Sequence, residues 1–145
     1  MLIMNNKKII YASSQLAQVA QELLGYMSEC AVYTFTGPLG AGKTALVRQM
    51  LHQLGIEGPI PSPTFTYLNK YENAHDQIFY HFDLYRIPDR QDFIASGFDE
   101  YLYQPHSWAF IEWPEPIMPL LQKNVCHVHI DYCGDKRELI YQIVN

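Results

Sequence analysis

A glycine-rich run, Gly37-Pro38-Leu39-Gly40-Ala41-Gly42-Lys43-Thr44, matches the spacing GxxxxGK(S/T) at Gly37, Gly42, Lys43 and Thr44. This pattern carries the chemistry of a phosphate cradle. Its glycines allow backbone angles closed to other residues, so successive N–H groups of the loop turn inward around phosphate oxygens. The N-terminus of a following helix adds a partial positive charge. In such a loop the Lys43 ammonium reaches the β- and γ-phosphates and the Thr44 hydroxyl meets Mg2+. A nucleoside triphosphate is the expected ligand.

The nucleotide class follows from what is missing. Asn69-Lys70-Tyr71-Glu72 looks like a guanine-reading (N/T)KxD element with Glu in place of Asp, but it lies inside an expected strand, soon after Thr44. Nor does a DxxG element follow the strand that ends near Asp83, since Asp83 is followed by Leu84-Tyr85-Arg86. ATP is favoured over GTP.

Three further segments are over-specified for packing alone. Ser62-Pro63-Thr64-Phe65-Thr66 follows a proline-rich approach. His81-Phe82-Asp83-Leu84-Tyr85-Arg86 closes a strand with polar groups at alternate positions, and Ile111-Glu112-Trp113-Pro114 sets a carboxylate at the end of an apolar one. Ligands of open α/β sheets collect at strand ends. His81 reads as a structural hydrogen-bonder rather than a general base. His127 and His129 share a strand face, but Cys126 points to the other face and no second ligand pair stands near. Their role is read as structural.

These groups need elements to hold them. Lys7 to Tyr11 reads as a strand, and Ser13 or Ser14 as the N-cap of a helix to about Met27. The apolar positions Leu16, Val19, Ala20, Leu23, Leu24 and Met27 recur at helical spacing, and Gly25 weakens the last turn. Ala31 to Thr36 is β-branched and aromatic, as strands are. The glycine loop follows it directly, then a helix from Thr44 to Leu54 with Gly55 as its C-cap. Residues 58–63 cannot be helical because of their prolines. Phe65 to Tyr71 and Ile78 to Tyr85 read as strands, Asp89 to Ile94 as a short helix ended before Gly97, and Ser107 to Trp113 as a strand. Pro114, Pro116 and Pro119 imply an extended loop. Val125 to Tyr132 and Glu138 to Val144 form a hairpin around 133–136. The expected architecture is one α/β domain over residues 1–145, with a mixed, mostly parallel central sheet in a three-layer P-loop arrangement and a C-terminal β-hairpin.

Size and composition agree. The 145 residues, 48% hydrophobic, suffice for one core without a disulfide or metal staple. A formal charge of −5 and ten scattered Lys and Arg argue against unaided gripping of a nucleic-acid backbone. Cys30, Cys126 and Cys133 form no CxxC pair and suit a reducing cytosol. Neither a signal peptide nor a membrane-length apolar stretch is seen, so a cytoplasmic, membrane-free protein is expected. With eleven Tyr and seven Phe, several rings should lie near the surface; Tyr101, Tyr103 and Trp108 are candidates.

GPLGAGKT, SPTFTYL, HFDLYR and IEWPE occur in an order and spacing that closely resemble the TsaE (YjeE) family, the bacterial ATPases of tRNA threonylcarbamoyladenosine (t6A) formation. The likeness runs from about residue 31 to residue 132. It implies a Mg2+-dependent ATPase, weak alone and stimulated by partners, that resets or regulates the threonylcarbamoyl transferase complex. TsaD-like and TsaB-like proteins would be those partners, with tRNA met only through them. The resemblance implies that Thr44 and Glu112 hold Mg2+, Glu112 being the acidic Walker B residue. Thr64 would sense the γ-phosphate from a switch-like loop, and Asp83 would orient or deprotonate the attacking water. Arg86 would steady phosphate charge or contact a partner, and Trp113 would pack near the nucleotide, with Pro38, Leu39, Gly40 and Ala41 completing the cradle. Two positions depart from the family pattern. Pro38 replaces a usual acid and removes one N–H, and Ala45 lacks a common hydroxyl while keeping its N–H for the α-phosphate.

Two other readings stay open beside the partner-coupled hydrolase. A small-molecule kinase needs an acceptor pocket and an arginine-bearing lid, and the chain holds only Arg48, Arg86, Arg90 and Arg137. A nucleotide-sensing adaptor would bind ATP without useful turnover.

Overall fold

The computed structural model describes residues 6–145. The elements run β1 (Lys7–Tyr11), α1 (Leu16–Leu24), β2 (Val32–Thr36), α2 (Lys43–Gln53), β3 (Leu68–Glu72), β4 (Ile78–Asp83), α3 (Arg90–Ala95), β5 (Ser107–Glu112), β6 (Val125–Cys133) and β7 (Lys136–Val144). The strands form one seven-stranded sheet in the order β1-β7-β6-β2-β5-β4-β3. β6, β2, β5 and β4 are parallel, while β7 and β3 run against their neighbours. β1 is antiparallel to β7 and so points with the central four. The mixed sheet with its parallel central strands and C-terminal hairpin is as expected, but it is less parallel than expected, since three of its six strand pairings are antiparallel.

Alternation along the strands makes both faces apolar and hence three layers. On one face Tyr33, Phe35, Phe79, Phe110 and Val128 meet Leu23 of α1 and Leu46, Met50 and Leu51 of α2. On the other, Val32, Tyr80, Phe82 and Ile111 meet Phe93 of α3 and Ile117. Each such side chain contributes about 1.5–3 kcal/mol through removal from water. The same period places the site. His81 and Asp83 follow Phe79 at two-residue steps, Glu112 follows Phe110, and Asp83 pairs with Glu112 in the ladder. All three carboxylate and imidazole groups therefore emerge on the α2 face, beside the loop that leaves β2.

Several boundaries differ from expectation for local reasons. The first helix is introduced by a 3-10 turn, Ser13–Gln15, in which the Gln15 side chain accepts the Ala12 N–H at 2.8 Å, so neither serine is the cap. Its regular part stops at Leu24, with Gly25 as C-cap, short of Met27. β3 begins at Leu68 rather than Phe65. Tyr67 has φ 65 and donates its N–H to the Pro63 carbonyl at 2.7 Å, which curls residues 64–67 into a turn. β4 ends at Asp83, whose Oδ1 accepts the Tyr85 N–H at 3.0 Å and turns the chain. Glu115–Leu120 is a 3-10 helix rather than an extended loop, because Pro fits its first turn and its bonds are few. The hairpin strands are longer than expected, closing to Cys133 and Lys136. Trp108 is partly buried and donates to the Met27 carbonyl at 3.0 Å; Tyr101 and Tyr103 are also half-buried.

Candidate functional site

β2 delivers the chain to Gly37, and α2 begins at Lys43, so the glycine run bridges a strand end and a helix N-terminus. Two glycines are required there. Gly42 caps the helix at φ 109, and Gly37, at φ 135, lies so close to β6 that a Cβ would stand 2.0 Å from the Ile130 carbonyl oxygen. Leu39, Pro38 and Gly40 are exposed, as a ligand cradle requires.

Lys43 folds back over the loop. Its Nζ donates to the carbonyls of Gly37 and Pro38 at 2.6 and 2.9 Å, and sits 4.1 Å from the centre of the Trp113 ring. Burial holds this ammonium below the ordinary lysine range, with Glu112, Glu115 and Asp83 pulling in the opposite sense. Trp113 in turn has Tyr85 against it, ring centres 4.8 Å apart.

Behind the lysine lies a continuous polar chain. The Thr44 hydroxyl donates to Glu112 Oε1 at 2.6 Å, and Glu112 Oε2 meets His81 Nε2 at the same distance. Glu112 is 1% exposed and His81 fully buried, so this carboxylate is oriented from both sides and shielded from bulk water. The Thr44 hydroxyl, on the first turn of α2, and the Glu112 carboxylate, at the end of β5, are hard oxygens of the kind that suit Mg2+, which uses few protein ligands and keeps several waters. His81 was expected to bond structurally. Its partner, Glu112, was not legible, because that contact depends on the β4–β5 register.

Asp83 is placed beside this chain. Its Oδ1 is held by the Tyr85 N–H, and its Oδ2 accepts the Thr64 hydroxyl at 3.1 Å. Thr64 also bonds Ser62 at 2.8 Å, which links the proline-rich segment to the carboxylate. Arg86 is the outlier of the expected set. It is exposed, with its guanidinium 4.5 Å above the exposed Phe65 ring. Ala45 is exposed on the first turn of α2 and lines a cavity of about 290 Å3 with Gly42, Tyr11, Leu16, Lys136 and Arg137. That cavity lies beside the glycine-rich loop.

The discarded candidates lie elsewhere. Asn69 and Lys70 fall on β3 at the sheet edge. His127 and His129 face away from α2, their Nδ1 atoms each 2.7 Å from the hydroxyls of Thr34 and Thr36. Among the described residues no group of three or more His, Cys, Asp or Glu is placed to hold a metal. Likewise, no helix among them is long and apolar enough to cross a membrane.

Comparison with known proteins adds to this geometry. Residues 10–139 match the family model described as threonylcarbamoyl adenosine biosynthesis protein TsaE. The tRNA threonylcarbamoyladenosine biosynthesis protein TsaE of Haemophilus influenzae is 40% identical over 126 residues, spanning 85% of this chain and 78% of its own. The Rickettsia felis protein of the same name is 32% identical over 100% of this chain and 80% of its own. Among solved structures, Bacillus subtilis YdiB superposes with a TM-score of 0.76 and 25% identity, covering 100% of this chain and 89% of YdiB.

Proposed function

The chain belongs to the TsaE family, and from that premise we propose that it is a single-domain, cytoplasmic ATPase serving tRNA t6A formation, where it resets or regulates the threonylcarbamoyl transferase complex. The observation that carries the reading is the Thr44–Glu112–His81 chain lying directly under the phosphate loop, with Asp83 beside it.

Each residue then has a defined task. Loop N–H groups between Gly37 and Ala45 and the positive end of α2 hold the phosphates. Lys43 exchanges its two carbonyl contacts for β- and γ-phosphate oxygens, moving from under the Trp113 ring. Thr44 and Glu112 would hold Mg2+, and His81 keeps the second carboxylate oxygen occupied so that Oε1 faces Thr44. When bound, the ion would neutralise charge on the phosphate oxygens. Asp83 Oδ2 carries only the long Thr64 contact, which leaves it free to orient a water or take its proton. Thr64, on a segment without regular structure, is set to report the γ-phosphate to that carboxylate. Trp113 packs beside the nucleotide, and Arg86 steadies phosphate charge or meets a partner.

Partner coupling is supported by what surrounds the loop. Leu39, Phe65, Tyr85 and Tyr132 are 65%, 76%, 53% and 49% exposed. Apolar surface of this kind around a ligand site favours protein docking. TsaD-like and TsaB-like proteins are the proposed occupants, and the net charge of −5 leaves tRNA to them. The test is multiple-turnover t6A formation by the cognate transferase complex. Adding this protein with ATP should raise the number of cycles, and Lys43→Ala should not. An undiminished yield without the protein would remove the resetting role.

A further inference from the structure

The C-terminal hairpin reaches the phosphate loop at three points. The Ile130 carbonyl fills the space a Cβ would need at Gly37. The Tyr132 hydroxyl donates to the Leu39 carbonyl at 2.6 Å, and Arg137 Nε donates to the Ala41 carbonyl at 3.1 Å. Tyr132 and Arg137 are cross-strand partners on β6 and β7, and the guanidinium lies 4.7 Å from the centre of the Tyr132 ring. They form one braced unit at the hairpin tip rather than two separate contacts.

Peptide planarity gives these bonds a consequence. In a trans peptide the C=O of one residue and the N–H of the next point in opposite directions. Holding the Leu39 carbonyl outward aims the Gly40 N–H inward, and holding the Ala41 carbonyl does the same for the Gly42 N–H. Lys43 holds the Gly37 and Pro38 carbonyls, but those contacts must open when its ammonium turns to phosphate. The hairpin bonds need not open. A glycine-rich loop that loses its internal lysine tie has many accessible conformations. Only Tyr132 and Arg137 then remain among these side-chain ties.

We propose that Tyr132 and Arg137 form a latch that presets the Gly40 and Gly42 N–H groups for phosphate, acting as positioning residues without touching the reacting atoms. This rests on the nucleotide-binding reading above. Because the latch acts on bound substrate and transition state alike, its loss falls on KM rather than kcat.

The test compares wild type with Tyr132→Phe, which deletes one hydroxyl, and Arg137→Met, which keeps the stem and removes the donors. Mg-ADP affinity is read by calorimetry, amide exchange across residues 37–44 by mass spectrometry, and global stability by urea unfolding. Each variant is expected to bind Mg-ADP about threefold to tenfold more weakly, as for loss of one net hydrogen bond. Exchange in the loop should be faster and the unfolding midpoint close to wild type. Arg137→Lys, which can still donate, should recover part of the affinity. Unaltered affinity and loop exchange in both variants would overturn the latch, as would affinity losses matched by equal losses of global stability. Wild-type protein that binds no ADP would instead overturn the nucleotide-binding reading beneath it.

Discussion

Replacing Gly37 by alanine puts a number on how tightly the phosphate loop is built against the sheet. The new Cβ would stand 2.0 Å from the Ile130 carbonyl oxygen and 3.1 Å from its carbon. Both atoms are backbone, in a strand held by β2 on one side and β7 on the other. Relief therefore needs more than an ångström of movement by the loop or the sheet, an overpacking cost of about 1–3 kcal/mol. The φ of 135 adds about 1–3 kcal/mol of backbone strain for any residue with a Cβ. The sum, about 2–6 kcal/mol, is a large part of the about 5–15 kcal/mol that stabilises an ordinary domain. Gly42→Ala is the control. It shares the left-handed backbone, at φ 109, but its Cβ meets nothing within 4 Å. Urea unfolding followed by circular dichroism should show Gly37→Ala less stable than Gly42→Ala by at least about 1 kcal/mol. Equal midpoints for the two variants would refute the close approach of β6 to the loop.

Asp83→Asn keeps the size of the side chain and removes its basicity. Phosphate release should fall by about 10²–10⁴-fold while Mg-ADP affinity, measured by calorimetry, changes little. In Glu112→Gln the proposed dication site loses its charge, so the gain in nucleotide affinity on adding Mg2+ over EDTA should largely vanish. His127 supplies a pH prediction away from the site. Burial lowers its imidazole from the ordinary 6.5, so it is neutral when folded and protonates more readily when unfolded. Its contribution to stability is present above that value and lost as pH falls through the lowered native one. His127→Gln should therefore show a shallower loss of urea midpoint than wild type between about pH 7.5 and about pH 5; parallel losses would remove His127 as a cause.

Local chemistry made part of this protein legible from its sequence. The phosphate loop was readable because glycine, lysine and threonine at fixed spacing dictate a backbone path, and the strands were readable from two-residue alternation. Turns that depend on one residue in a left-handed conformation were not. Tyr67 carries no glycine-like signal for φ 65, so the residue pattern starts β3 at Phe65, three residues before its observed start. The prolines at 114, 116 and 119 suggest an extended loop, but a 3-10 helix tolerates them and forms there instead. Contacts that span the sheet were the least visible. His81 meets Glu112 only because β4 and β5 pair in one register, and Tyr132 meets Leu39 only because β6 lies beside β2. The hairpin spacing around Gly134 could have paired Tyr132 with Arg137, though not with the loop they touch.

The central claim is that residues 37–44, Glu112 and Asp83 form a partner-coupled ATPase. Free-phosphate release from ATP by the purified protein tests it most directly, alone and with its TsaB-like and TsaD-like partners. Release that depends on Lys43, is lost in Lys43→Ala and rises when the partners are added is the predicted result. ATP binding with no phosphate release under either condition, or transfer of the phosphate to an acceptor instead of water, would contradict it.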